Sequence, residues 1–190
     1  MTSALLSQRL NTATDSPHQQ LDAKVKSYQP FDNLENFAHF AATQYLYQQD
    51  IDQLYQDAEL AALIPNLAQR SRLEAARLDL QDLKRELPTN DNLTLNKQWC
   101  LPEALAWLFV SEGSKLGAAF LYKRVVPMGL SESFGARHLA EPEGGRAQNW
   151  KSFVSALDAI ELTAEQVQQA EQAAVAAFQR FAALLEQTFA

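Results

Sequence analysis

Three histidines, one cysteine and two glycines set in an apolar run are the residues that could carry chemistry in this chain of 190 residues. His18 stands on a stripe of Leu6, Leu10, Thr14, His18, Leu21 and Val25, whose steps of three and four residues mark one inward face of a helix. An imidazole on a dry face needs a partner, because an unpaired buried polar group costs about 1–3 kcal/mol. Two readings are open: a core histidine bonded to a neighbour, or an axial ligand to a metal, neutral imidazole being the commonest protein ligand. No second His, Cys or carboxylate cluster stands beside it, which disfavours a metal held by protein alone. Cys100 is the only cysteine, so it forms no internal disulfide, and nothing around it is set to lower its pKa.

His39 falls about 200° round its helix from Phe37 and reads as a surface residue. His138, in the stretch Gly-Ala-Arg-His-Leu-Ala, reads as a loop or structural residue. Gly113 and Gly117 interrupt the helical run Trp107-Leu-Phe-Val-Ser-Glu-Gly-Ser-Lys-Leu-Gly-Ala-Ala-Phe120. Each costs about 1 kcal/mol relative to alanine in a helix interior. Spaced by four, they share a face, which suits either close helix–helix packing or a planar ligand lying against the backbone. One helix offering a histidine and another offering a flat glycine face is the geometry that would sandwich haem, whose iron brings its own ring and needs one protein ligand.

The elements that must position these residues are helices. Gly and Pro number only 6 and 7, and no alternating apolar–polar run of useful length appears, so an all-α chain without sheet is expected. Pro17 marks a kink or restart, with Asp15 or Ser16 as cap. Asp32 and Glu35 open a second helix, with Leu34, Phe37, Ala41 and Tyr45 at helical spacing, ending near Tyr55. After Pro65, Leu73, Ala76, Leu80, Leu83 and Leu87 form a third stripe, stopped by Pro88. Thr89 to Lys97 is a loop. A long apolar helix runs from about Pro102 to Val126, and Pro127 to Gly145 is irregular. Another helix carries Trp150, Phe153 and Leu157. The box Thr163-x-x-Gln166 opens the last, with Val167, Ala170, Ala174, Phe178, Phe181, Leu185 and Phe189 in its stripe.

The size suits one domain over residues 1–190. The net charge of −7 excludes a nucleic-acid binder that relies on bulk charge. The opening residues lack a signal-length apolar core, and no stretch approaches the roughly 18 apolar residues of a membrane span. A soluble, cytoplasmic, monomeric protein is expected.

Two segments give the chain a family resemblance. Thr14-Asp-Ser-Pro-His18-Gln-Gln-Leu21-Asp22 resembles the proximal-histidine segment of haem oxygenases, and Glu112-Gly-Ser-Lys-Leu-Gly-Ala-Ala-Phe-Leu121 resembles their distal helix in the short bacterial form. Gly135 to Ala140, Gly145-Arg146 and Trp150-x-x-Phe153 match the stretch that follows. The resemblance runs from about Leu5 to Phe189. It implies a compact helical fold with haem between proximal and distal helices. It also implies a reaction in which haem, O2 and electrons give biliverdin, CO and ferrous iron, for iron release from haem. Carried over residue by residue, His18 is the iron ligand, Gly113 and Gly117 are the distal glycines, and Ser114 lines the distal pocket.

The chain departs from some relatives in two places. Ser114 stands where mammalian members carry a carboxylate, and Phe109 where others carry a tyrosine beside the pocket. Haem propionates need cations or donors, for which Lys26, Arg124 and Asn11 are the candidates. No flavin or nicotinamide fingerprint is present, so electrons come from a separate protein of ferredoxin or flavin-reductase type. The competing readings are a haem carrier or sensor on the same fold, biliverdin supply to a phytochrome, and a haem-free thiamine-degrading relative, for which Cys100 is a poor nucleophile.

Overall fold

The computed structural model describes residues 4–91, 94 and 97–190. Residues 1–3 of the chain start, and 92, 93, 95 and 96 of the expected Thr89–Lys97 loop, lie outside the described residues. Among the described residues there are seven α-helices and no strand: α1 (Leu6–Ser27), α2 (Leu34–Tyr55), α3 (Ala58–Leu63), α4 (Leu73–Asp82), α5 (Leu101–Val125), α6 (Arg146–Asp158) and α7 (Ala164–Phe189). Short 3-10 turns fall at Leu67–Arg70, Val126–Met128 and Arg137–Leu139.

The last helix is the axis of the fold. Gln166 N–H donates to Thr163 Oγ1 (3.2 Å) and Thr163 N–H to Gln166 Oε1 (2.9 Å), the capping box expected from the sequence. Buried Ala170, Ala173, Ala174 and Ala177 let neighbouring helices come close, and α1, α2 and α5 all pack along α7. The core they enclose includes Leu10, Phe37, Leu46, Ile51, Leu105, Leu108, Phe153 and Leu185. Each such side chain contributes about 1.5–3 kcal/mol by burial. Arg9 pairs with Glu171 at 2.6 Å and Lys24 with Glu186, fixing the register of α1 on α7. Ser7 N–H and Oγ donate to Asp158 at 2.8 and 2.7 Å, tying the start of α1 to the end of α6.

Three local expectations need correction. Helix α1 runs unbroken through Pro17. Asp15 and Ser16 are not caps but accept from the Gln19 and Gln20 amides one turn on, both at 3.2 Å. Packing along α7 offsets the one backbone bond that proline removes. The cap of α2 is Asn33 rather than Asp32, its side chain accepting from Asn36 N–H at 2.8 Å. Helix α4 ends at Asp82, because Lys84 takes φ 54, in the left-handed region. The stripe therefore stops short of Leu87, which is exposed.

The irregular stretch before α6 is held by two carboxylates of α4: Asp82, which accepts from the Gly135 N–H at 2.9 Å and pairs with Arg137, and Asp79. Asp79 of α4, fully buried, accepts from the N–H groups of Arg137 (2.8 Å) and His138 (2.9 Å) and lies 2.6 Å from His138 Nδ1. His138 is thus the structural residue the sequence suggests. Burial alone would raise the Asp79 pKa, but the His138 and Arg137 bonds outweigh it and hold the group below its ordinary 3.8. A carboxylate with a depressed folded pKa contributes stability that is present above its unfolded pKa and lost as pH falls through the folded one. Asp79→Asn should therefore melt below the wild type at pH 7, with the gap closing on acidification below about pH 4. Thermal melts between pH 7 and pH 3 check this; a gap that stays constant would show that the carboxylate charge is not what holds the loop.

Candidate active site

The inward stripe of α1 is only half inward. Leu6, Leu10 and Thr14 are buried, whereas the His18 side chain is 65% exposed. From position 18 onward the stripe emerges beside α7, where the His18 ring sits 5.6 Å from that of Phe178. Among the described residues neither ring nitrogen makes a hydrogen bond; Nε2 lies 3.7 Å from Asp22 Oδ1, within ion-pair but beyond hydrogen-bond range. The core-histidine reading, which required a partner, fails on both counts.

The glycines divide the two readings between them. An added Cβ at Gly113 would meet the Trp150 ring of α6 at 3.6 Å, an ordinary contact. At Gly117 it would meet nothing within 4 Å. Packing against Trp150 would accommodate a Cβ at Gly113, and it gives no reason for glycine at Gly117, in the interior of an unbroken helix. Val110, Gly113, Ser114, Phe120 and Leu121 lie within about 60° of Gly117 round α5. Phe120 is 74% exposed, and Leu116 beside it is exposed as well. The face is open and largely apolar, which suits a planar aromatic ring system.

His18 and the glycine face stand on two helices that both flank α7. No hydrogen bond, ion pair or ring contact joins them among the described residues. Two surface hollows, of about 510 and 590 Å³, lie elsewhere, against His39 and Lys84 and against Leu34 and Phe134. His39 itself is half-buried rather than on the surface, its ring 5.2 Å from that of Phe189. Among the described residues no three His, Cys, Asp or Glu side chains gather as a metal site. A metal at His18 would have to bring its own equatorial donors.

The other candidate residues are distributed around this face. Ser114 is exposed, and its hydroxyl donates to the Ser111 carbonyl at 2.6 Å. Its proton is thereby committed to its own helix, and toward the open face it can only accept. Phe109 is buried against Trp150, with ring centroids 5.4 Å apart, and borders the face from the core side. Arg124 shares the side of α5 with Gly117, two turns on, and its guanidinium lies 5.0 Å from the Phe31 ring centre. Lys26 and Asn11 are exposed on α1, and among the described residues their side chains make no hydrogen bond or ion pair. Cys100 is exposed just before α5.

The family described as Heme oxygenase matches residues 4–187. The chain belongs to the heme oxygenase family. It is 56% identical over 186 residues to the heme oxygenase PigA of Pseudomonas aeruginosa, covering 98% of this chain and 94% of that one. A heme oxygenase of Neisseria meningitidis, solved with NO and CO bound, superposes with a TM-score of 0.92 and 36% identity, over 98% of this chain and 93% of that one. The Leptospira interrogans heme oxygenase shares the fold at a TM-score of 0.78 and 15% identity, over 97% of this chain and 100% of that one. This heme oxygenase is an enzyme that degrades haem to biliverdin, with haem as both prosthetic group and substrate, O2 as co-substrate and a reductase as electron source. No helix among the described residues is long and apolar enough to cross a membrane.

Sequence reasoning missed the residues behind the heme oxygenase's glycine face. The Glu112 carboxylate, fully buried, accepts from Tyr55 Oη (2.8 Å), Lys115 Nζ (2.6 Å) and Arg70 Nη1 (3.0 Å). Ser111 Oγ joins Tyr55 Oη at 2.8 Å. Arg70 also donates to Asn149 Oδ1 at 3.1 Å, and Arg146 to the Lys115 carbonyl at 3.0 Å, fastening α6 to α5. Burial pushes the Lys115 ammonium down to about 8, with Glu112 pulling the other way. The available signal was Glu112-x-x-Lys115, two charges one turn apart in an apolar helix.

Proposed function

We propose that His18 would ligate the haem iron in this heme oxygenase, and that the face of Gly113, Ser114 and Gly117 would lie against the ring. The observation that carries this reading is Gly117: an interior helical glycine whose added Cβ would meet nothing within 4 Å among the described residues. The bound haem supplies the iron at which O2 is reduced and the ring that is cut.

The protein's own groups do the rest. His18 presents its imidazole from a rigid helix. The glycine backbone would permit the ring to approach closely. Ser114, whose hydroxyl proton is already donated, accepts from water, so protons arrive through water rather than from a strong side-chain acid. Lys26 and Arg124 pair with the propionates as charge-assisted donors, with Asn11 as a further donor on the His18 side. The whole chain acts as one domain, as a monomer in the cytoplasm, and takes electrons from a ferredoxin or flavin-reductase type protein. The release of iron is its purpose. The family match over residues 4–187 supports the single-domain reading.

Gly117→Ala separates this account from helix packing. Alanine is worth about 1 kcal/mol more than glycine in a helix interior, and nothing lies within 4 Å of its methyl. The haem-free variant should melt about 2–4 °C higher. Haem should bind about tenfold more weakly, because the methyl overpacks the haem-facing side. Haem titration alongside thermal melts checks both; a higher melting temperature with unchanged haem affinity would remove Gly117 from the site.

A further inference from the structure

Ser111, Glu112 and Lys115 lie about 120–160° round α5 from Gly117, on the back of the helix that carries the glycine face. Their surroundings are unusual in charge. Lys115 Nζ is buried and donates to Glu112 Oε1 and to the Arg70 carbonyl, both at 2.6 Å. The charged and titratable groups facing it are Glu112 on its own helix, Tyr55 of α2, Arg70 of the Leu67–Arg70 turn, Arg72 before α4, and Arg146 of α6. Tyr55 stays neutral, burial and Glu112 raising its pKa well above 10. One carboxylate thus faces two buried cations. Arg72 and Arg146 spend their guanidinium bonds on the carbonyls of Ala140, Leu139 and Lys115, adding charge without adding an anion. The group carries a net positive charge within one helix diameter, about 10 Å, of the open face.

We propose that Lys115 is a positioning residue that acts by its charge: through the body of α5 it favours a negatively charged ligand held against Gly117. The proposal rests on the reading of His18 and the glycine face given above. Burial lowers the Lys115 ammonium to about 8, so most of its charge is present at pH 7 and most of it is lost by pH 9.5. A unit charge about 10 Å away, at an effective dielectric constant of about 25–50, is worth a factor of roughly 3–10 in the affinity of an anion.

The test uses the ferric haem complex and two small iron ligands, azide, an anion, and imidazole, taken as the neutral free base. Their dissociation constants are read from the visible spectrum and expressed as a ratio, which cancels competition from hydroxide. In the wild type the azide-to-imidazole ratio of dissociation constants should rise about 3–10-fold between pH 7 and pH 9.5. Lys115→Met should show the high ratio already at pH 7, and Lys115→Arg the low ratio at both pH values. A wild-type ratio that is flat with pH overturns the proposal, and this arm needs no variant to fold. So does an equal loss of azide and imidazole binding in Lys115→Met, which would mark Lys115 as a packing residue. Absence of any ligand-induced spectral change would overturn the reading of the open face together with the proposal.

Discussion

Glu112→Ala should lower the melting temperature of the haem-free protein by about 6–20 °C. Removing one partner of a buried ion pair costs about 3–5 kcal/mol, because the other charge stays buried without compensation. Each kcal/mol moves the melting point of a protein this size by about 2–4 °C. Here two cations, Arg70 and Lys115, lose their shared carboxylate, and the Tyr55 hydroxyl loses its acceptor. The site lies where α5, α6 and the Leu67–Arg70 turn meet, so the loss is not confined to one helix. The double variant Glu112→Ala, Lys115→Met should recover part of the loss, since removing both members of a buried pair is far milder than removing one. Melting of the wild type, the two single variants and the double variant measures the coupling. Additive losses would mean that the 2.6 Å contact between Glu112 and Lys115 carries no energy of its own.

The residues that were legible in the sequence are those whose signal is local. The capping box at Thr163 needs four consecutive residues, and the apolar stripe of α7 needs only its own spacing. Gly113 and Gly117 stood out because glycine in a helix interior is costly wherever it occurs. His18 was legible as a type and a position but not in its environment. The stripe predicts an inward face, and only the tertiary packing of α1 on α6 and α7 decides that burial ends at Thr14. Asp79 and His138 are 59 residues apart, and nothing near either announces the pair. The Glu112 cluster draws Tyr55 and Arg70 from 57 and 42 residues away, and such contacts follow from chain topology alone. Even so, two opposite charges one turn apart in the middle of a mostly apolar helix are a local signal of a buried pair, because a charge in that setting is costly unpaired. The third stripe failed at Lys84 for a different reason: its left-handed backbone ends α4 one turn before the apolar pattern does.

His18→Ala bears on the central claim. The structure leaves the imidazole exposed, free of hydrogen bonds and beside Phe178, so its loss should cost little stability. The loss should instead fall on the iron. Haemin is added to the purified wild type and variant, a protein reductase and NADPH or ascorbate are supplied with catalase present, and the visible spectrum is followed. The wild type should lose its Soret band as biliverdin absorption grows. His18→Ala should form biliverdin at least about a hundredfold more slowly, a barrier change of roughly 2.7 kcal/mol, with partial recovery when imidazole is added. Biliverdin formed by His18→Ala at the wild-type rate, or a wild-type haem complex that survives a competent reductase, would contradict the account.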